Sequence, residues 1–262
     1  PKTTEGEEKL MHTVSELATH NPEFFSVTYG AGGSTQAGTF NAVANIRAQG
    51  FEAAPHLSCV GATRANTLNI LDELKAQGVN RIVALRGDLP SGMGGMGELA
   101  HASDLVALIR EHSGGWFHIS VAAYPEYHPQ ARTPQDDLKH FVNKMQAGAN
   151  TAITQYFYNA DAYARFVEDV RAKGVNAPII PGIMPITNYS RLARFSETCG
   201  AEIPRWVLLK LASFGDDAES IKAFGQEVVA QLCERLVQLG APSLHFYTLN
   251  QAEPSLGVLK SL

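Results

Sequence analysis

Short apolar stretches alternate along this chain with longer amphipathic segments. In each longer segment the apolar residues recur three and four positions apart, which predicts a helix, whereas the short runs are typical of strands. One strand and one helix together take roughly 30 residues, the length of a βαβ unit. The predicted strands are Phe24–Tyr29, Ala53–Leu57, Arg81–Leu85, His118–Ala123, Ala152–Phe157, Ile179–Ile183 and Leu244–Leu249. The predicted helices are Thr4–Thr19, Gln36–Gln49, Ala65–Gln77, Ala102–His112, Pro134–Ala147, Ala160–Lys173, Arg191–Cys199 and Asp216–Leu239.

The order of these elements predicts an α/β fold of the (β/α)8 TIM barrel type, with its first strand missing from the sequence given. The continuous apolar run Ile82–Leu85 is typical of a parallel strand that is covered on both faces. A doubly wound sheet is the alternative, but no G-x-G-x-x-G follows any strand, and Gly30–Thr35 has the wrong spacing. Since no linker interrupts the pattern, we expect one domain over residues 1–262.

Composition excludes several functional classes. The net charge is −5, and the 21 Lys and Arg residues are scattered, so we expect no nucleic-acid partner. The three cysteines lack CxxC spacing, which favours reduced thiols in a cytoplasmic protein over a disulfide framework or a zinc site. No apolar run reaches the roughly 20 residues of a membrane span, so we expect no membrane association.

Polar side chains follow the predicted strands, where a barrel places its binding residues. Taken singly, each has a simpler explanation, since His56 suits a surface or core histidine, Gln155 a cap, and Asp88 an ion pair with Arg86. As a set they predict a site. They are Thr28, His56, the Arg86–Asp88 turn, the Tyr124–His128 turn, Gln155, Asn188 and Asn250.

These residue types favour a phosphate-bearing aromatic cofactor over a metal ion. The sequence has no H-x-H or H-E-x-x-H pair, so we expect no metal centre. Arg86 and Lys144 suit phosphates, and Tyr29 and Tyr124 suit stacking on an aromatic ring.

Several motifs resemble the 5,10-methylenetetrahydrofolate reductases, in the order of that family and over the whole chain. The length is similar to that of the bacterial catalytic barrel. The motifs are Phe25–Ala31, Glu52–Leu57, Arg81–Pro90, Ser120–Glu126, Ala147–Asn150, Ile153–Gln155, Pro181–Ile183 and His245–Asn250.

The resemblance implies an oxidoreductase that holds FAD, takes hydride from NADH or NADPH, and reduces methylenetetrahydrofolate to 5-methyltetrahydrofolate for methionine synthesis. Asp88 and Gln155 are the implied catalytic residues. The implied FAD contacts are Thr28, Tyr29, Ala31, His56, Arg86, Gly87, Asp88, Ala102, Tyr124, His128, Ala131, Asp137, His140 and Lys144. The implied substrate contacts are Thr28, Asp88, Gln155, Phe195, Arg191 and Gln251.

The sequence also departs from the family's pattern. His140 and Asn143 stand where many bacterial members have Asn and Arg, Gln251 stands where an arginine contacts folate, and Arg191 replaces a glutamine of some members. We expect Arg191 to reach the glutamate tail of folate instead.

The family's first strand carries a general-acid glutamate, which would lie ahead of Pro1. We expect a chain that lacked it to lose folate reduction, because its proton donor is gone, and to retain reduction of the flavin by the nicotinamide. The alternatives are therefore a non-catalytic flavin- or folate-binding barrel and a flavin-free, pterin-binding methyltransferase. The resemblance also implies a homo-oligomer, a dimer or a tetramer.

Overall fold

The computed structural model describes residues 3–29, 36–59, 61–87 and 97–262, and this part of the chain forms seven strands and ten helices. The strands are β1 (Phe25–Val27), β2 (Ala53–Ser58), β3 (Arg81–Leu85), β4 (His118–Ala123), β5 (Thr151–Tyr156), β6 (Ile179–Ile183) and β7 (His245–Phe246). The helices are α1 (Thr4–Ala18), α2 (Gln36–Ala48), α3 (Arg64–Ala76), α4 (Ala102–Ser113), α5 (Pro134–Gln146), α6 (Ala160–Ala172), α7 (Tyr189–Cys199), α8 (Arg205–Ser213), α9 (Ala218–Gln238) and α10 (Glu253–Lys260).

The chain divides into two compact units, and the first consists of residues 1–122 and 143–151. Its strands pair in chain order and in parallel, with His56 of β2 opposite Val83 of β3, for example. The run Ile82–Ala84 is fully buried, as predicted for a strand covered on both faces. Because the strands are parallel, their carboxyl ends share one edge of the sheet.

The second unit consists of residues 123–142 and 152–262. Here β5 pairs with β6 and β6 with β7, again in parallel, and Gly182 of β6 lies opposite His245 of β7. The long helix α9 packs closely, since a Cβ at Gly225 would lie 2.4 Å from Ile186 O. None of the described helices has both the length and the apolar character needed to cross a membrane.

Two predicted strands are too long. Strand β7 has two residues where six were predicted, and the φ of 50° at Leu249 excludes an extended strand at the end of the predicted range. Strand β1 ends at Val27, and the next carbonyl, Thr28 O, accepts a hydrogen bond from the Thr39 hydroxyl at 2.9 Å.

The sequence prediction missed two helices, α8 and α10. Both are short, with nine and eight residues, so few apolar positions mark the buried face. In α8 the buried residues are Val207 and Leu211, four positions apart, and in α10 Val258 is fully buried. Helix α9 also begins later than predicted, because Asp217 Oδ1 accepts a hydrogen bond from Ser220 N at 3.1 Å and caps it.

Candidate functional site

In the first unit, hydrogen bonds around Arg86 join the ends of β2 and β3. Ser58 Oγ donates to Arg86 O at 2.9 Å, and Cys59 N donates to Leu85 O at 3.2 Å. Gly87 then has a φ of 85°, a conformation that favours glycine. Arg86 Nε donates to Gly87 O at 3.3 Å. Arg86 and Gly87 therefore lie, as predicted, directly after the carboxyl end of β3.

The other predicted residues of the first unit lie at strand ends or at a helix start. Thr28 and Tyr29 follow β1, and burial raises the pKa of Tyr29. His56 is half-buried in β2, and Ala102 is the first residue of α4. Ala31 and Asp88 lie outside the described residues, so their assignment stays a prediction.

Lys144 also belongs to the first unit, and its ammonium group is held at the carboxyl end of β4. Lys144 Nζ donates a hydrogen bond to Ala122 O at 2.6 Å. An ammonium group has three donors. This position therefore puts a cation at the carboxyl end of β4.

In the second unit, the segment after β4 folds into two successive turns, which we call the Tyr124–Ala131 loop. Tyr127 N donates to Tyr124 O at 3.2 Å, and Pro125 occupies the second position of that turn, which its ring favours. Ala131 N donates to His128 O at 2.8 Å in the second turn. The rings of Tyr124 and His128 meet edge to face, with centroids 4.6 Å apart.

The contacts of His128 indicate the tautomer of its neutral ring. His128 N donates to Asp137 Oδ2 at 3.0 Å, which ties the loop to the first turn of α5. His128 Nδ1 accepts a hydrogen bond from Gln130 N at 3.0 Å. Because Nδ1 is an acceptor, a neutral ring carries its proton on Nε2 and presents a donor there. His140 lies in α5 about one turn after Asp137, and it is exposed.

A groove of about 770 Å³ in the second unit has Tyr124 and Asp137 in its lining. The charged part of that lining is mixed, with Lys139 and Arg165 beside Asp169. Charge alone therefore selects no class of ligand for this groove. The described residues contain no group of three or more His, Cys, Asp or Glu side chains that could hold a metal ion.

Gln155 lies near the carboxyl end of β5 with its side chain fixed. Its Oε1 accepts a hydrogen bond from Tyr156 N at 3.0 Å. This contact uses the amide oxygen, so the side-chain NH2 group is the part that can donate to a ligand.

Helix α7 brings two predicted substrate contacts together. Asn188 Oδ1 accepts a hydrogen bond from Arg191 N at 2.8 Å and caps the helix. The Arg191 guanidinium carbon lies 5.7 Å from the centre of the Phe195 ring, within reach of a cation–π contact. Phe195 is 37% exposed, which is high for a large apolar side chain. The pair offers a flat apolar face beside a positive charge.

Gln251 stands apart from this pair. It is exposed, and its N–H donates to Thr248 O at 3.0 Å within the turn that follows β7. No hydrogen bond, ion pair or ring contact among the described residues joins it to Arg191 or Phe195.

The sequence analysis places Glu126 in the Tyr124–His128 turn and assigns it no contact with FAD or folate. Its Oε2 accepts a hydrogen bond from Glu202 N at 2.8 Å, a contact between residues 76 positions apart. Burial raises the pKa of Glu126, and the nearby Glu202 charge raises it further, while the backbone hydrogen bond lowers it. No sequence signal links Glu126 to Glu202.

Comparisons with known proteins agree with these motifs. The family model for methylenetetrahydrofolate reductase matches residues 1–262. The chain is 40% identical over 263 residues to the 5,10-methylenetetrahydrofolate reductase of Escherichia coli (strain K12), covering 100% of this chain and 88% of that protein. It is 36% identical over 276 residues to methylenetetrahydrofolate reductase (NADH) 1 of Arabidopsis thaliana, covering 100% of this chain and 47% of that protein.

One solved structure with a similar fold is an uncharacterized protein from Clostridium thermocellum that binds two copies of 5-methyl-5,6,7,8-tetrahydrofolic acid. The TM-score is 0.63 at 16% identity, over 99% of this chain and 89% of that one. At this identity the likeness concerns the fold alone. It confirms the predicted α/β barrel fold class, in which this chain has seven strands. The match of the family model over all 262 residues and the 40% identity to the Escherichia coli enzyme show that the chain belongs to the methylenetetrahydrofolate reductase family.

Proposed function

We propose that this protein reduces 5,10-methylenetetrahydrofolate to 5-methyltetrahydrofolate, with FAD as its cofactor and NADH or NADPH as the reductant. The observation that carries the proposal is the match to the reductase family along the whole chain. The product would supply methyl groups for methionine synthesis. We further propose that the protein acts in the cytoplasm as a homo-oligomer.

The donor groups of the described residues fit FAD. FAD carries a diphosphate, which is recognised by cations and N–H donors, and aromatic rings, which are recognised by stacking. The Arg86 guanidinium and the Lys144 ammonium group supply cations at two strand ends of the first unit. In the second unit His128 supplies an Nε2–H donor beside the Tyr124 ring.

The proposed FAD contacts are assigned unit by unit. In the first unit they are Thr28, Tyr29, Ala31, His56, Arg86, Gly87, Asp88, Ala102 and Lys144. In the second unit they are Tyr124, His128, Ala131, Asp137 and His140. The chemistry that bound FAD supplies is the transfer of a hydride from the nicotinamide to the methylene carbon of the folate.

Asp88 is proposed as the catalytic carboxylate. A negative charge beside the pterin favours a cationic form of the methylene-bearing nitrogen, which makes the attached carbon a better hydride acceptor. Asp88→Asn keeps the size of the side chain and removes the charge. We expect it to lower kcat for folate reduction.

Gln155, Phe195 and Arg191 are proposed to orient the folate. Because its amide oxygen is already bonded to Tyr156 N, Gln155 offers its NH2 group to an acceptor on the pterin. The exposed ring of Phe195 offers a surface for the p-aminobenzoyl group, and Arg191 offers a charge for the glutamate carboxylates.

The proposal is tested by incubating the full-length protein with NADH and methylenetetrahydrofolate and measuring 5-methyltetrahydrofolate by mass spectrometry. Formation of this product, with less of it from Asp88→Asn at equal protein concentration, supports the proposal. A protein that binds FAD or folate and forms no product is instead a non-catalytic binding barrel. A protein without flavin that transfers the methyl group of added 5-methyltetrahydrofolate to an added acceptor is a methyltransferase.

A further inference from the structure

Helix α7 has little apolar anchoring for a helix that carries two proposed folate contacts. Its only buried residues are Leu192 and Ser196, and one of these is polar. By comparison, α4 buries the four apolar residues Leu105, Val106, Leu108 and Ile109. Since buried apolar area is the main source of packing energy, the position of α7 depends more than usual on polar contacts.

One such contact fixes the segment directly after α7. The Glu126 carboxylate accepts a hydrogen bond from Glu202 N at 2.8 Å, and Glu126 is half-buried. A hydrogen bond to a charged group is about twice as strong as one between neutral groups. The bond lies three residues beyond the last residue of α7, so it restrains the carboxyl end of the helix.

A second contact joins the same two segments. A Cβ at Gly200 would lie 2.8 Å from Pro129 Cγ, so the two residues already touch. Gly200 ends α7 with a φ of 71°, and Pro129 belongs to the Tyr124–Ala131 loop. The loop therefore supports the end of α7 at two points, through Pro129 and through Glu126.

The loop itself is well fixed. Its first turn contains Pro125 and closes with the hydrogen bond from Tyr127 N to Tyr124 O at 3.2 Å. Its second turn is held by His128 N, which donates to Asp137 Oδ2 at 3.0 Å. A rigid loop can hold a lightly anchored helix in place.

A third contact restrains the middle of α7. Tyr156 Oη and Ser196 Oγ are hydrogen-bonded at 3.1 Å in a buried position. Tyr156 directly follows Gln155, and Ser196 directly follows Phe195. Rotation of α7 is therefore limited at Ser196, and displacement of its carboxyl end is limited at Glu202.

We propose that Glu126 is a positioning residue of the folate site, which holds the carboxyl end of α7 through the backbone of Glu202 and so fixes Phe195 and Arg191. The proposal rests on the proposed function, because it assumes that Phe195 and Arg191 contact the folate. Glu126 itself need not touch any ligand. Its removal should weaken folate binding and leave FAD in place.

The test compares four variants of the full-length protein by KM for methylenetetrahydrofolate, kcat and FAD content. Glu126→Ala removes the acceptor and should raise KM about tenfold, the factor that corresponds to 1.4 kcal/mol, with kcat changed less than about threefold. Glu126→Gln keeps an oxygen in place to accept the hydrogen bond from Glu202 N. The bond to this neutral acceptor is weaker but present, so KM should stay within about threefold of that of the unchanged protein. Glu126→Asp shortens the side chain by one CH2 group and should lie between these two.

Glu202→Ala is the matched control. Glu202 contributes its backbone N–H, so truncation of its side chain keeps the bond, and KM should not change. If Glu126→Ala does not fold, the comparison of Glu126→Asp with Glu126→Gln gives the same test.

Three outcomes would overturn the proposal in distinguishable ways. If the unchanged protein turns over methylenetetrahydrofolate and Glu126→Ala has the same KM, the role of Glu126 is rejected and the proposed function stands. If Glu126→Gln is as impaired as Glu126→Ala, a carboxylate is needed for another reason and the positioning role is also rejected. If the unchanged protein shows no turnover, the proposed function fails and the role of Glu126 fails with it.

Discussion

Gly182 in β6 is a position where one added methyl group should destabilise the protein strongly. A Cβ there would lie 2.2 Å from Thr154 O and 2.6 Å from Tyr247 Cε2. These neighbours are bonded to each other, since Tyr247 Oη donates to Thr154 O at 2.7 Å. Gly182 N also donates to Thr154 Oγ1 at 2.9 Å. Burial raises the pKa of Tyr247, so its hydroxyl stays protonated and remains a donor.

The magnitude follows from this geometry. Ordinary contact begins near 3.4 Å, so Thr154 O or the Gly182 backbone must move by about 1.2 Å (3.4 − 2.2) to accept Gly182→Ala. Forcing extra volume into a packed site costs about 1–3 kcal/mol. Loss of the Tyr247 bond leaves a poorly solvated carbonyl, at about 1–3 kcal/mol more. The expected total of about 2–6 kcal/mol is a large part of the 5–15 kcal/mol that typically stabilises a folded protein.

Urea unfolding followed by circular dichroism measures this loss. Gly115→Ala is the matched control, because a Cβ at Gly115 meets nothing within 4 Å, and the free energy of unfolding should change by less than about 0.5 kcal/mol. Tyr247→Phe removes only the hydroxyl and should cost about 1–3 kcal/mol. If Gly182→Ala unfolded at the same urea concentration as Gly115→Ala, the close packing of β5, β6 and Tyr247 would be refuted.

Three further predictions concern stability and folate binding. Burial lowers the pKa of His245 to about 4, whereas in the unfolded chain it is about 6.5. The neutral ring is therefore no burden to the folded state above pH 6.5, and the free energy of unfolding should fall by up to about 3 kcal/mol as the pH drops to 4. His245→Gln should flatten the dependence of unfolding free energy on pH in this window, and an unchanged slope would contradict the assignment. Arg110→Ala removes the donors to Phe117 O at 2.8 Å and to Gly148 O at 2.9 Å, and it should lower the free energy of unfolding in urea by about 3 kcal/mol. A loss below about 0.5 kcal/mol would show that these bonds contribute nothing. Gln155→Glu replaces the NH2 donor of this half-buried residue with an acceptor and should raise KM for methylenetetrahydrofolate more than about tenfold, because the pterin acceptor loses its partner. An unchanged KM would exclude the proposed contact.

The sequence predicts the buried strands better than the short or irregular elements. The bounds of β3, β4 and β6 are those predicted, since each is a compact apolar run with a clear end. The segment from Leu244 to Leu249 was also predicted as a strand, but only His245 and Phe246 form one. The positive φ of Leu249 excludes an extended conformation there, and a leucine in the sequence does not indicate such a φ. Helix α8 was missed because a nine-residue helix with two buried residues leaves a weak periodic signal.

The candidate site is only partly readable from the sequence, for a similar reason. Arg86 and Gly87 follow strand β3 directly, so their place at the sheet edge can be predicted from the local pattern alone. The tautomer of His128 is set by a hydrogen bond from Gln130, which is only two residues away. This bond still depends on the geometry of the turn, which the sequence does not show. The bond from Glu202 to Glu126 spans 76 positions and arises only from the folded chain.

In the proposed reaction, bound FAD passes hydride to methylenetetrahydrofolate. An anaerobic visible spectrum of the full-length protein tests this step most directly. We expect the visible absorbance of the oxidised flavin to be lost on addition of NADH or NADPH and to return on addition of methylenetetrahydrofolate. Comparison of the two nicotinamides in the same experiment identifies the reductant. A colourless protein, or a flavin that is reduced and not reoxidised by the folate, would contradict the account.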